Sequence, residues 1–200
     1  NLALGVSYNF MQKYYADLGL AVIHSAQLAP GHREALSPSL TLGWRLKNES
    51  FLKDVDAVDN MLLSVSGSII NEDIDLARGD VRYYLYKGFW TSDNGYGWYD
   101  GSNDKYTYSK RGENEDLGFI KRKELSLSFK TSLWKHFVTL DANFFINSME
   151  GYLIDSPTFF PSHLNTSYPQ GSFMPVLNYN NDRRVGFDFA LNFNRKFGET

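Results

Sequence analysis

The 200-residue sequence has no cysteine, which excludes a disulfide framework and any thiolate-held metal. It has little net charge: 20 Lys and Arg stand against 23 Asp and Glu, so the basic excess of a nucleic-acid binder is missing. Its histidines, His24, His32, His136 and His163, are scattered without metal-ligand spacing. No glycine-rich phosphate loop occurs. Long apolar runs are also lacking and the mean hydropathy is −0.38, so no transmembrane helix can be read. That absence leaves a β-barrel open, because barrel strands alternate and average out along the chain.

What is plentiful is aromatic side chains, 16% of the chain, and alternation with a period of two. The pattern is fullest over 121–149. Leu125, Leu127, Phe129, Thr131 and Leu133 alternate with Glu124, Ser126, Ser128, Lys130 and Ser132. After Trp134-Lys135, Val138, Leu140, Ala142, Phe144 and Ile146 alternate with Thr139, Asp141, Asn143, Phe145 and Asn147. Alternate side chains of a strand point to opposite faces, so this is a hairpin with one apolar and one polar face. Its arms exceed the usual five or six residues and suit the nine to eleven that a tilted strand needs to cross a bilayer.

The rest of the chain repeats the unit. Strands are expected over 2–10, 14–25, 39–47, 61–70 and 184–196, and a local hairpin is a candidate around 81–90. A short helical turn with Ser50 as N-cap is expected within 49–59. The fold class is therefore all-β, an antiparallel up-and-down transmembrane barrel segment of about seven strands. The connections divide into short turns at about 11–13, 49–59 and 134–135 and long loops at about 71–116 and 150–183. Bacterial outer-membrane barrels have short periplasmic turns and long extracellular loops, so the two sets are assigned to those two sides. Tyr8, Phe10, Tyr14, Tyr15, Trp44, Trp134, Phe137, Phe193 and Phe197 lie near the short-turn ends, as an interfacial aromatic girdle would. Seven strands do not close such a barrel, and residues 1–200 read as part of a larger barrel domain.

Two groups of residues are singled out. On the polar strand face Asp17, Arg45, Glu124, Lys130, Asp141 and Asp188 are lumen-facing candidates. In the first long loop Tyr83, Tyr86, Trp90, Tyr96, Trp98, Tyr99 and Asp100 are candidates for contact with substrate or with a covering protein, because aromatic faces beside carboxylates suit sugars and protein partners alike. Self-packing of that loop is the competing reading. The run Asp100-Gly101-Ser102-Asn103-Asp104 lacks the full spacing of a calcium loop, and no metal, cofactor or catalytic constellation is expected.

The runs Pro38-Ser39-Leu40-Thr41-Leu42-Gly43-Trp44-Arg45-Leu46, Phe51-Leu52-Lys53 and Val58-Asp59-Asn60-Met61-Leu62-Leu63-Ser64-Val65-Ser66-Gly67-Ser68, followed by Arg184-Val185-Gly186-Phe187-Asp188 and Leu191-Asn192-Phe193, resemble in order and spacing the C-terminal barrel of the SusC/RagA family of TonB-dependent outer-membrane transporters. The match departs at His24-Ser25-Ala26-Gln27-Leu28 and at Gly67-Ser68-Ile69-Ile70. The resemblance implies a 22-stranded barrel with a plug domain in the outer membrane of a Gram-negative bacterium. It implies import of oligosaccharides or peptides under a SusD-like surface lipoprotein. It also implies energy from TonB, which engages a region near the N-terminus of the parent, outside this chain. The alternatives are an outer-membrane barrel or adhesin without TonB coupling, and a soluble glycan-binding β-sandwich. None of these is an enzyme.

Overall fold

The computed structural model describes residues 1–73, 84–93, 106–154, 161, 163, 165–167 and 170–194. Its strands are β1 (Leu2–Phe10), β2 (Tyr14–His24), β3 (Glu34–Arg45), β4 (Val58–Glu72), β5 (Phe89–Asp93), β6 (Tyr106–Arg111), β7 (Ile120–Leu133), β8 (Val138–Ile154), β9 (Asn165–Ser167), β10 (Gln170–Ser172) and β11 (Leu177–Phe193). Seven form one antiparallel sheet in the order β1-β2-β3-β4-β7-β8-β11, an up-and-down meander. The other four form two small hairpins, β5–β6 and β9–β10, inserted in the connections. A soluble sandwich needs a second sheet against the apolar face, and among the described residues there is none.

The register aligns one kind of side chain across the whole sheet. Val6, Leu18, Leu40, Gly67, Leu125, Ile146 and Val185 are successive cross-strand partners, as are Tyr8, Ala16, Leu42, Val65, Leu127, Phe144 and Phe187. On the opposite face the partners are Ser7, Asp17, Thr41, Ser66, Ser126, Phe145 and Gly186. A slip of one residue anywhere would mix the two faces. In the middle of the sheet Leu42, Val65, Leu127 and Phe144 remain 40–47% exposed, although each is flanked by strands on both sides.

Each strand contributes the same length to the apolar face. The belt segments are 2–10, 14–22, 36–44, 61–69, 125–133, 138–146 and 185–193, nine residues with five outward side chains in every case. Only Gly67 and Thr131 interrupt its apolar character. Between β2 and β11 both edges of the belt step down the strand by four residues. At about 3.3 Å per residue, over five interstrand spacings of about 4.8 Å, that drift corresponds to strands tilted roughly 30° from the belt normal. Barrel strands tilt by about 35–45°.

The strands overrun the sequence expectation at the ends away from the short turns. β3 begins at Glu34 rather than Ser39, and β4 runs from Val58 to Glu72. Pro38 sits inside β3, opposite Leu20, where pairing between β3 and β4 has not yet begun; that pairing starts at Ser39 and Ser68. A residue without an N–H is tolerated there because no β4 acceptor awaits it. Beyond it Asn71 substitutes for the missing ladder: its Nδ2 donates to the Leu36 carbonyl at 2.9 Å and its backbone N–H to Ser37 Oγ at 2.9 Å. β8 extends to Ile154 and β11 begins at Leu177, with the irregularity absorbed by Gly151 at φ +82° and by bulges between Asn178 and Asn181. The local hairpin lies at Phe89–Asp93 and Tyr106–Arg111, not at 81–90.

The short turns also differ in detail. No α-helix forms in 49–59 and Ser50 caps nothing. Instead a 3-10 turn covers Leu46–Asn48, and the Glu49 carbonyl accepts from Leu52 and Lys53 at 3.0 and 2.8 Å in a single turn. So short a stretch does not offset the cost of nucleating a helix. Met11 and Gln12 both take left-handed backbone (φ 53° and 55°) and the Lys13 N–H closes the hairpin on the Phe10 carbonyl at 3.0 Å. The β7–β8 turn is longer than Trp134-Lys135, with Trp134, Lys135 and His136 all at positive φ.

Candidate functional site

The polar face gathers all six expected residues, Asp17, Arg45, Glu124, Lys130, Asp141 and Asp188, because each has the strand parity of that face. Lys130 and Asp141 are direct cross-strand partners with Nζ and Oδ1 4.0 Å apart. Asp188 pairs with Asn143, and Glu124 lies between Ser68 and Asn147 with the Arg122 guanidinium on its carboxylate. The Arg45 guanidinium lies over the Tyr15 ring, 4.9 Å from its centroid, and its buried Nε has no hydrogen-bond partner. That arrangement holds a cation against the wall by its π-face rather than by a carboxylate.

Between these charges runs a ladder of short polar groups. Ser66 Oγ and Ser126 Oγ are 2.7 Å apart, and Ser128 Oγ donates to Asn143 Oδ1 at 2.7 Å. Ser66, Ser126 and Asn143 border a recess of about 510 Å³ whose lining also includes Ser39, Thr41, Ser68, Glu124, Phe145, Asn147 and Asp188. Phe145 is the exception to the polar pattern, and its ring lies over Gly186 on the neighbouring strand, filling the place of a side chain there. Serine hydroxyls, amides, two carboxylates and one ring make a wet, hydrogen-bonding wall with a single apolar step.

Among the described residues of this wall the nearest approach to a catalytic pair is Ser132 with His136. Ser132 Oγ is 2.6 Å from His136 Nδ1, but the nearby Asp59 carboxylate accepts from the His136 backbone N–H at 2.7 Å and leaves the imidazole without an orienting acid. The three residues lock the β7–β8 turn. Among the described residues no group of three or more acidic or histidine side chains is placed to hold a metal.

At the loop end of the sheet Leu28, Ala29, Tyr86, Leu117 and Phe119 form a buried cluster flanked by Ile23, Ala35, Leu85, Leu153 and Val176. Ile23 and Ala35 belong to the polar face, so the cluster folds inward over that side. Tyr86, expected as a contact residue, is 4% exposed and is spent on this packing, because Leu117 and Phe119 give its ring an apolar neighbourhood that a surface contact would not. Trp90 is the opposite case: it is 57% exposed and meets Phe173 edge-on at 6.0 Å. Gly112 makes that pairing possible, since its N–H donates to the Met174 carbonyl at 3.0 Å and a Cβ there would overlap the Phe173 backbone. Tyr83, Tyr96, Trp98, Tyr99 and Asp100 lie outside the described residues. The cluster went unseen in the sequence. Its only signals were the apolar pair Leu28-Ala29 and the apolar residues Leu117 and Phe119 just outside the expected strands.

At the short-turn end the Glu49 carboxylate accepts from Lys13 Nζ at 2.9 Å, Tyr14 Oη at 2.8 Å and Trp44 Nε1 at 3.1 Å. These donors hold its pKa below the ordinary carboxylate value, the Lys13 bond contributing most. Phe10, Tyr14 and Trp44 stack in sequence at 6.4 and 6.5 Å, and Phe137 meets Phe193 at 6.1 Å, so rings line the belt's lower edge at both sides of the sheet.

No family model matches the chain. Over 117 residues it is 27% identical to the TonB-dependent receptor SusC of Bacteroides thetaiotaomicron, covering 58% of this chain and 11% of that protein. Its structure is similar to the RagAB peptide importer in the closed-closed state, with TM-score 0.73 and 16% identity over 96% of this chain and 19% of that one. It is also similar to the same importer in the open-open state, with TM-score 0.72 and 17% identity over 92% and 18%. The chain therefore spans about a tenth of the curated relative's length and under a fifth of each solved chain. The resemblance seen in the sequence is borne out: the chain is similar in sequence to SusC, and its seven-stranded antiparallel sheet matches part of the fold of the RagAB importer.

Proposed function

We propose that the chain forms part of the wall of an outer-membrane TonB-dependent transporter, which imports oligosaccharides or peptides under a SusD-like surface lipoprotein and leaves them chemically unchanged. The observation that carries this reading is the belt. Seven strands each devote nine residues to an exposed apolar face of one height, the length needed to cross a bilayer. In water such a face would be a large aggregation surface; against lipid it is what a barrel requires. The sheet's outer strands, β1 and β11, each pair on one side only, and bare strand edges do not occur in hydrocarbon, so further strands of the parent must close the wall.

On this reading the short turns face the periplasm and the long loops face outward. The polar face with Asp17, Arg45, Glu124, Lys130, Asp141 and Asp188 then lines the lumen. Trp90 is offered to the lipoprotein lid or to substrate. TonB engages a region of the parent outside this chain. The names of the similar proteins, a TonB-dependent receptor and a peptide importer, support transport as the activity.

The test is uptake. The parent gene is deleted in its Gram-negative host, and import of labelled peptide and oligosaccharide mixtures is followed with and without a protonophore. Uptake of one class should fall in the deletion strain, return on complementation, and collapse with the proton gradient. Uptake unchanged by deletion refutes transport. Adhesion lost without any transport defect would favour the barrel without TonB coupling.

A further inference from the structure

The outward face continues past the apolar belt toward the loops, and the residues just beyond the belt differ from strand to strand. On β2 and β3 the next outward residues are His24 and Glu34, with Nδ1 and Oε1 3.7 Å apart. On β7 they are Lys123 and then Lys121; on β8, Ser148 and then Glu150; on β11, Arg183. Lys123, Ser148 and Arg183 are successive cross-strand partners, and Lys121 lies opposite Glu150. All three cations are exposed, and the single carboxylate, Glu150, is bound to Lys123 Nζ at 2.6 Å. The patch thus carries a net charge of about two, directly above an apolar surface.

We propose that Lys121, Lys123 and Arg183 bind the phosphorylated headgroup of an outer-leaflet glycolipid whose acyl chains lie on the belt below. Depth favours a lipid over a soluble anion. Lys123 and Arg183 stand two residues beyond the belt, about 6.6 Å along the strand and about 5 Å in height at barrel tilt. The headgroup layer outside the hydrocarbon is about 5–7 Å thick on each side. The ammonium and guanidinium groups therefore reach phosphate depth with their stems still along the apolar edge. Lys121, one outward position higher, closes the site from the water side. Anionic headgroups reward such clusters by about fivefold in affinity per cation near the surface. This inference rests on the outer-membrane barrel proposed above.

The experiment uses the full-length parent in phosphatidylcholine nanodiscs containing a minor fraction of diphosphorylated lipid A. Retained lipid is counted by native mass spectrometry, and barrel integrity is followed by resistance to dodecyl sulfate until heating. The wild type should retain lipid A in preference to phosphatidylcholine, and K121Q/K123Q/R183Q should retain at least about tenfold less while keeping the heat-resistant form. Should the triple variant fail to insert, R183Q alone should lose about fivefold. Equal retention by a folded variant and the wild type would overturn the site. So would displacement of lipid A by millimolar inorganic phosphate but not by chloride of the same ionic strength, which would make it a free-phosphate site. A parent that shows no heat-resistant barrel in any lipid would instead defeat the barrel reading itself.

Discussion

Placing a charge at the centre of the apolar belt separates a lipid-facing wall from a water-facing one. Val65 is the residue to change. It is the third of the five outward positions of β4, four residues from either end of the nine-residue belt, with Leu42 and Leu127 as its cross-strand neighbours. Four residues are about 13 Å along the strand and about 10 Å in height at barrel tilt, which puts Val65 near the bilayer midplane. There Val65→Arg should cost about 2–4 kcal/mol, while Ile69→Arg, at the belt's upper edge on the same strand, should cost about 0–1 kcal/mol. Ser68→Arg, on the polar face, should stay within about 0.5 kcal/mol. The assay is reversible denaturant unfolding of the parent folded into phosphatidylcholine vesicles, with tryptophan fluorescence as signal. In water a side chain 40% exposed would accept arginine at almost no cost, so the two settings predict different magnitudes. A cost for V65R below about 0.5 kcal/mol, or one no larger than that of I69R, refutes the lipid assignment.

Four further outcomes are expected. Gly186→Ala should destabilise by about 1–3 kcal/mol because its Cβ overlaps the Phe145 ring, and a double-mutant cycle with Phe145→Ala should remove most of that cost. Leu117→Ala, at a fully buried position, should cost about 2–5 kcal/mol locally, read as faster amide exchange in the loop segments around Ala29 and Tyr86 while the belt strands stay protected. Gln12→Gly should stabilise the β1–β2 hairpin by about 1 kcal/mol, read as a higher denaturant midpoint, since Met11 and Gln12 occupy left-handed backbone that glycine adopts freely. Glu49 carries a depressed pKa, so its stabilisation is present above the ordinary carboxylate value of about 4.3 and is lost as pH falls through the lower folded-state value; Glu49→Gln should flatten that acid dependence of the unfolding midpoint.

The sequence revealed the sheet and concealed the loops for one physical reason. On each strand a side chain meets either an apolar or a wet surrounding, and these alternate strictly along the backbone, so the pattern of Leu125 to Leu133 or Val185 to Phe193 is a direct record of two faces. Position within that record was readable too, because all six polar-face charges fall on one parity. Strand length was not. Beyond Leu36, Ile146 and Val185 the outward face turns polar while the inner face meets the loop cluster at Ala35 and Leu153, so the apolar-out, polar-in alternation stops carrying information and the ladder continues unseen through Glu34, Ile154 and Leu177.

The loop core is the sharper case. Leu28, Tyr86, Leu117 and Phe119 come from three separated segments and bury one another without any period, so each reads in isolation as an apolar residue in a polar stretch. Tyr86 shows the consequence. An aromatic-rich loop invites a binding role for every ring, yet a long loop must first bury enough apolar surface to offset the entropy of its own ordering. Rings divide between that task and exposure: Tyr86 is consumed by the cluster, whereas Trp90, in the hairpin that Gly112 lets pack against Phe173, keeps an exposed ring. Which rings are available for contact is therefore set by close backbone approaches such as that at Gly112. Composition alone cannot supply them.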